Sequence, residues 1–144
     1  MLRRFKEDAE EWVERAIAYY KNSGKEIALA EYSNPTGQFV QGELYIFVLN
    51  PQGTMLAHGV NERFVGQEFA DLKDIDGKSF IKEMLNTANK EGSGWVQYKW
   101  NHPTIKVVLP KTVFFKKVDD LIICSGIYQL EPQTYISQPT RPET

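Results

Sequence analysis

Apolar residues recur first with a helical period, then in short unbroken runs, then helically again, and finally in alternation. Residues 2–20 place Leu2, Phe5, Ala9, Trp12, Ala16 and Tyr19 at spacings of three and four, with Val13, Ile17 and Tyr20 widening the stripe. This predicts an amphipathic helix packed on a sheet, with width enough for a partner helix as well. Asn22-Ser23-Gly24 stops it, with Gly24 as its C-terminal cap. Residues 25–33 predict a second short helix, and 34–38 a loop. Residues 42–50, GELYIFVLN, form a nearly continuous apolar run, as expected of a central strand covered on both faces. Pro51-Gln52-Gly53 turns the chain into a hairpin partner at 54–58, and 59–69 is irregular. Residues 78–91 return to helical spacing through Phe80, Ile81, Met84, Leu85 and Ala88, ended by Gly92 and Gly94. Three strands follow, at 94–100, 105–118 and 121–130, with Asp119-Asp120 as the tight turn between the last two.

Helices, hairpin, helix, then three strands joined by short turns make an α+β domain: one antiparallel sheet with helices packed on it. The expected division is a helical lead-in over 1–33, a sheet-containing core over 34–131, and a polar, Pro-rich tail over 132–144. The 144 residues suffice for one domain with a sizeable core, and 42% apolar with 25% charged residues is an ordinary globular balance. The net charge of -2 offers no basic surface for nucleic acid. No apolar stretch is long enough to span a membrane, and MLRRFKEDAEEW is not a secretory signal. Cys124 is the single cysteine, which excludes an intrachain disulfide and a cysteine metal cluster.

Candidate chemistry is sparse. The two histidines, His58 and His102, lie in no paired metal spacing, and neither a nucleophile elbow nor a phosphate-cradling glycine loop is present. Cys124, in LIICSG, reads as a small buried hydrophobe. The stretch DLKDIDGKSFIKE (71–83) invites comparison with a calcium loop. With Gly77 at the sixth position, Asp74, Asp76 and Glu83 occupy the third, fifth and twelfth, but the first is Leu72, which has no oxygen for a metal. Lys111 is the most informative residue. Strict alternation puts Val107, Leu109, Lys111, Val113 and Phe115 on one face, so Lys111 points among apolar neighbours. A buried ammonium needs a partner, and a carboxylate ligand is one. A bulge at Pro110, or an edge strand guarded by Lys and Pro, is the other reading. Val96, Tyr98 and Trp100 share a face, with Trp95 on the other, and fill a core or line a pocket. Gly126 within a strand marks a close approach. His58, at a strand end, donates to an anion or caps the strand.

Four segments taken together resemble the single Cache domain of the second type. They are NPTGQFVQGELYIFVLNPQGTMLAH, VGQEFADLKDIDGKSFIKEM, GSGWVQYKW and PKTVFFKKVDDLIICSGIY, within about residues 10–130. The resemblance implies a PAS-like curved antiparallel sheet of about five strands, a long N-terminal helix laid along it and a mid-chain helix. It further implies a non-enzymatic small-molecule sensor of the chemoreceptor or histidine-kinase input type, without cofactor or metal, usually extracytoplasmic. The implied ligand is a small organic carboxylate held by Lys111, with Tyr98, Trp100, His58 and Tyr45 shaping the cavity. Asp74 and Asp76 become turn and cap residues. The family's Tyr after that lysine is Phe114 here. A homodimer through the N-terminal helix is expected. The alternative is a stand-alone interaction module whose cavity is filled by its own aromatics, and an enzyme using His58 or Cys124 is a third reading.

Overall fold

The computed structural model describes residues 4–129. Its elements run α1 (Lys6–Ser23), α2 (Lys25–Tyr32), β1 (Val40–Gln41), β2 (Leu44–Tyr45), β3 (Phe47–Leu49), β4 (Met55–His58), a 3₁₀ turn (Glu62–Phe64), α3 (Phe80–Glu91), β5 (Ser93–Asn101), β6 (Val108–Val118) and β7 (Leu121–Tyr128). Five strands form one antiparallel sheet in the order β4-β3-β7-β6-β5, and β1 and β2 make a separate two-stranded ribbon.

The sheet is covered on both sides, because its strands are apolar at odd and even positions alike. On one face, Ile46, Val48, Phe114, Leu121 and Ile123 pack against α1 and α2 through Ala9, Trp12, Val13, Ala16, Ile17 and Ala28. The stripe read along α1 is thus applied to its own sheet. On the other face, Phe47, Leu49, Val96, Val113 and Phe115 pack against Phe80, Ile81, Met84, Leu85 and Ala88 of α3 and against Phe69. Gly24 (φ 90°) ends α1, its N–H bonded to the Tyr20 carbonyl, and starts α2 one residue later. The β6–β7 turn is two residues long, with Asp119 at φ 55°. Tyr20 Oη donates to Asp119 Oδ2 (2.5 Å) and Lys25 Nζ to Asp120 Oδ2 (2.8 Å), pinning that turn to α1 and α2.

Several boundaries differ from expectation. The run 42–50 is not one strand: β2 pairs with β1, and only Phe47–Leu49 enters the main sheet. The last strand ends at Tyr128, and Leu130 and the tail lie outside the described residues. β5 begins one residue before the expected strand, at Ser93, and so takes in Gly94, which the sequence pattern places both at the helix end and at the start of that strand. Residues 59–69 are irregular but not loose. Met55 N donates to the Gln67 carbonyl, Gly66 N to that of Met55 and Phe69 N to that of Gly53 (2.8–2.9 Å), so this segment covers the outer edge of β4.

Candidate functional site

Lys111 lies in the middle of β6, paired in register with Tyr98 on β5 and Tyr128 on β7. The register runs through Pro110 without a bulge, and β6 is an interior strand. Both features that would have turned Lys111 to water are therefore missing. Its side chain is 1% exposed. Nζ donates to Tyr45 Oη (2.8 Å) and stands 4.5, 5.1, 5.2 and 6.0 Å from the ring centroids of Tyr45, Phe47, Tyr128 and Tyr98. Aromatic faces stabilise a cation, but each by only about 0.5–2 kcal/mol. Among the described residues no carboxylate forms an ion pair with it within 4.0 Å. The lysine stem fits because Gly126 faces it. A Cβ there would sit 2.6 Å from the Thr112 carbonyl oxygen and 3.2 Å from Lys111 Cε.

His58 reaches the same face by a register shift. β4 carries one extra residue, Leu56, between the pairs Leu49↔Met55 and Val48↔Ala57. Simple alternation from Met55 would send His58 to the α1 face. The bulge instead brings it beside Phe47. Its ring is 3% exposed and packs on Tyr45 (5.0 Å), Phe47 (5.9 Å) and Phe64 (5.0 Å). Nδ1 accepts from the backbone N–H of Asn61 (3.0 Å) and of Val60 (3.3 Å), so the proton of the neutral ring resides on Nε2. That N–H has no hydrogen-bond partner among the described residues. Burial, aided by the Lys111 charge, lowers the His58 pKa to about 3. His58 is thus a neutral donor at physiological pH. Burial also raises the Tyr98 and Tyr128 hydroxyls, keeping them protonated.

Two neighbouring compartments result. The inner recess, about 10 Å³, has room for one water and is lined by Lys111, Tyr45, His58, Tyr98, Trp100 and apolar residues including Phe47, Met55 and Phe80. The outer cavity, about 430 Å³, shares Tyr45, His58, Phe64 and Trp100 with it and adds Val60, Ile75, Val108 and the lysines 73, 99 and 106. All five residues singled out from the sequence thus come together. Tyr98 stacks on Phe80 (3.8 Å), so its ring belongs to the wall. Phe114 does not join them. It lies on the opposite face against Trp95, so the missing hydroxyl at that position does not concern this cavity.

Asp74 has a structural task in the wall. Oδ1 accepts from Asp76 N (3.0 Å) and Lys78 N (2.9 Å), and Oδ2 from Lys99 N (2.9 Å), riveting the 71–79 loop to β5. Desolvation acts to raise its pKa, but these three bonds and the Lys78 charge outweigh it and hold the carboxyl below its ordinary value. It does not cap α3, which begins at Phe80, and Asp76 pairs with Lys99 Nζ (3.0 Å). Cys124 is buried, with its thiol pushed up by desolvation and its Sγ 3.7 Å from Met84 Sδ.

Two further residues escaped the sequence reading. Glu43 is buried beside His102: Oε2 accepts from Tyr128 N (3.0 Å), and Oε1 lies 3.4 Å from His102 Nε2. His102 Nδ1 accepts from Thr104 N (3.2 Å) and Ile105 N (3.3 Å), which leaves Nε2 as the donor to Glu43. This pair ties the β5–β6 turn to the start of β2. An acid inside the apolar run 42–50 was the available signal.

The family model for single Cache domain 2 matches residues 6–131. The sensor histidine kinase MctS of Rhizobium johnstonii is 33% identical over 86 residues, 58% of this chain. The methyl-accepting chemotaxis protein McpP of Pseudomonas putida is 29% identical over 98 residues, 66% of this chain. The matched region is 18% of the length of either relative. Among solved structures, the periplasmic sensor domain of a chemotaxis protein superposes with TM-score 0.66 at 26% identity, over 85% of this chain and 88% of that one. A Cache chemosensory domain solved for the structural basis of its carboxylic acid recognition superposes with TM-score 0.73 at 23% identity, over 85% and 91%.

Proposed function

Because this chain belongs to the single Cache domain 2 family, the signal-sensing input modules of chemoreceptors and histidine kinases, we propose that it senses a short-chain monocarboxylate held at Lys111. One observation carries the reading: a buried ammonium without a counter-ion among the described residues, set in an aromatic recess beside a larger cavity. A desolvated charge left unpaired is strongly destabilising, and a ligand carboxylate supplies the missing partner. The His58 Nε2–H and the Tyr45 hydroxyl supply neutral donors to its oxygens. Lys111 is the one cation among the described residues of the inner recess, whose wall is otherwise aromatic and aliphatic apart from His58, two tyrosine hydroxyls and the Trp100 indole N–H, which favours one carboxylate on a short alkyl tail. The Cache domain that recognises carboxylic acids has the same fold.

The reading is one of binding, not catalysis. His58 is too weak a base at neutral pH and Cys124 is sealed in the core. On binding, closure around the carboxylate shifts the sheet against α1, which relays the change to a second copy of the chain.

The test is thermal unfolding and calorimetric titration with acetate, propionate, butyrate, succinate, amino acids and amines, on wild type and Lys111→Met. A monocarboxylate at a hundred times its dissociation constant is expected to add about 2.7 kcal/mol of stability. Lys111→Met is expected to abolish that gain. A response to amines alone removes Lys111 as the anchor. The small inner recess favours one second reading, an interaction module whose own aromatics fill the cavity. Silence across the panel, from protein free of co-purified ligand, selects it.

A further inference from the structure

Four residues line both compartments: Tyr45, His58, Phe64 and Trp100. Tyr45 and His58 bring polar atoms to the inner recess, whereas Phe64 and Trp100 form the partition. Trp100 sits in β5, inside a continuous ladder with β6. Phe64 sits on the single 3₁₀ turn in the segment covering β4. Its ring stands edge-on to His58 (5.0 Å), Phe69 (5.2 Å) and Trp100 (6.2 Å). The turn is anchored on both sides. Asn61, whose N–H is held by His58 Nδ1, accepts from Arg63 N through its side chain (3.1 Å) and from Phe64 N through its carbonyl (3.1 Å). Beyond it, Gly66 and Gln67 bond to Met55.

We infer that Phe64 is the residue that sets ligand chain length. This rests on the carboxylate reading above and names the specificity determinant of that same site. The inner recess, about 10 Å³, has room for about one water-sized group, while the neighbouring cavity of about 430 Å³ is lined by the same Phe64 ring. A carboxylate seated on Lys111 therefore meets Phe64 as its alkyl chain grows. Removing the ring opens the recess to that cavity, where Val60, Ile75 and Val108 offer the tail apolar contact among polar residues that include Lys73, Asp74, Lys99 and Lys106. The histidine that donates to the carboxylate also holds the start of the turn that carries the partition. Head-group recognition and length selection are thereby linked through one ring.

Calorimetric titration of the purified chain with the sodium salts of acetate through hexanoate tests this, on wild type, Phe64→Ala and Phe64→Leu. Wild type is expected to lose affinity at least about tenfold between propionate and hexanoate. Phe64→Ala is expected to bind hexanoate at least about tenfold more tightly than wild type does, with no gain for acetate. Phe64→Leu, which keeps most of the apolar volume, is expected to place the optimum between the two, and it carries the test if Phe64→Ala does not fold. An unchanged order of chain lengths in both variants, with acetate binding still lost in Lys111→Met, overturns the role of Phe64 and leaves the carboxylate reading standing. Wild type that binds hexanoate as tightly as propionate overturns it too. Absence of binding by every acid to wild type overturns both.

Discussion

The two faces of the sheet are built from the same strands and have opposite characters. On the α1 face, Phe114, Ile123 and Val48 meet Trp12, Val13 and Ile17 with rings and branched chains filling the space. On the α3 face, three residues earlier on the same β6 strand, Lys111 is buried among tyrosines beside a histidine that lacks a partner for one nitrogen among the described residues. Adjacent side chains of one strand thus serve opposite ends. The first face is arranged for maximum apolar burial, whereas the second retains a charge whose desolvation opposes folding. The lesson is that stability and recognition are divided across about one sheet thickness, so substitutions on the two faces should have separable effects.

The largest effect should come from the packed face. Phe114→Ala is expected to cost about 3–5 kcal/mol in urea unfolding while leaving ligand affinity of the folded fraction unchanged. A large loss of affinity in the folded protein breaks the division. Next is the charged face: Lys111→Met is expected to remove the ligand-induced gain of about 2.7 kcal/mol, and to leave the unliganded protein as stable or about 1–2 kcal/mol more so. Marked destabilisation of the unliganded variant means that the ammonium is better solvated than its burial indicates.

The third effect is a pH dependence from His58. Its folded pKa, about 3, lies below the ordinary 6.5, so the unfolded chain binds the proton more readily. The stability owed to neutral His58 is complete above pH 6.5 and is lost progressively as pH falls toward 3. Between pH 7 and 5, wild type should lose on the order of 2 kcal/mol more than His58→Gln, measured by chemical unfolding at each pH. Parallel curves would show that the ring is protonated without penalty. The smallest effect is Lys25→Ala. Its bridge to Asp120 is roughly half exposed, and a change within about 0.5 kcal/mol in the same assay is expected. A larger one makes the β6–β7 turn a point of control.

Much of this was legible in the chain. Alternation in VLPKTVFF offered an inward Lys111 beside the reading of a bulge or a guarded edge, and the same rule put Val96, Tyr98 and Trp100 together, because strand faces are a local property with a period of two. The helix stripes at Trp12–Ile17 and Phe80–Ala88 survived for the same reason, at period 3.6. The missed features depend on what lies across the fold. His58 faces the cavity only because of the extra residue at Leu56, and a bulge leaves no mark in a four-residue strand. The break at Ile46 was hidden because β2 and β3 are equally apolar. The Glu43–His102 pair joins residues 59 apart, and Phe64 lay in a segment without period. The resemblance marked Phe114 as a departure from the family's Tyr, and strand parity puts that residue on the side away from the cavity.

Trp12 donates its indole N–H to the carbonyl of Phe39 in a buried bond of 2.9 Å. Six peptide units further along, Tyr45 touches the Lys111 ammonium. That stretch contains the β1–β2 hairpin, in which Val40 pairs with Tyr45, and Gly42 in its turn is the one residue of the stretch at positive φ (64°). The cavity and the long helix are consequently joined through this hairpin, with a hydrogen bond at either end, in addition to the packed sheet. Because Val40 and Tyr45 lie opposite each other in that ribbon, a displacement at Tyr45 passes across the pair to the residue beside Phe39, and so toward α1, without travelling around the turn.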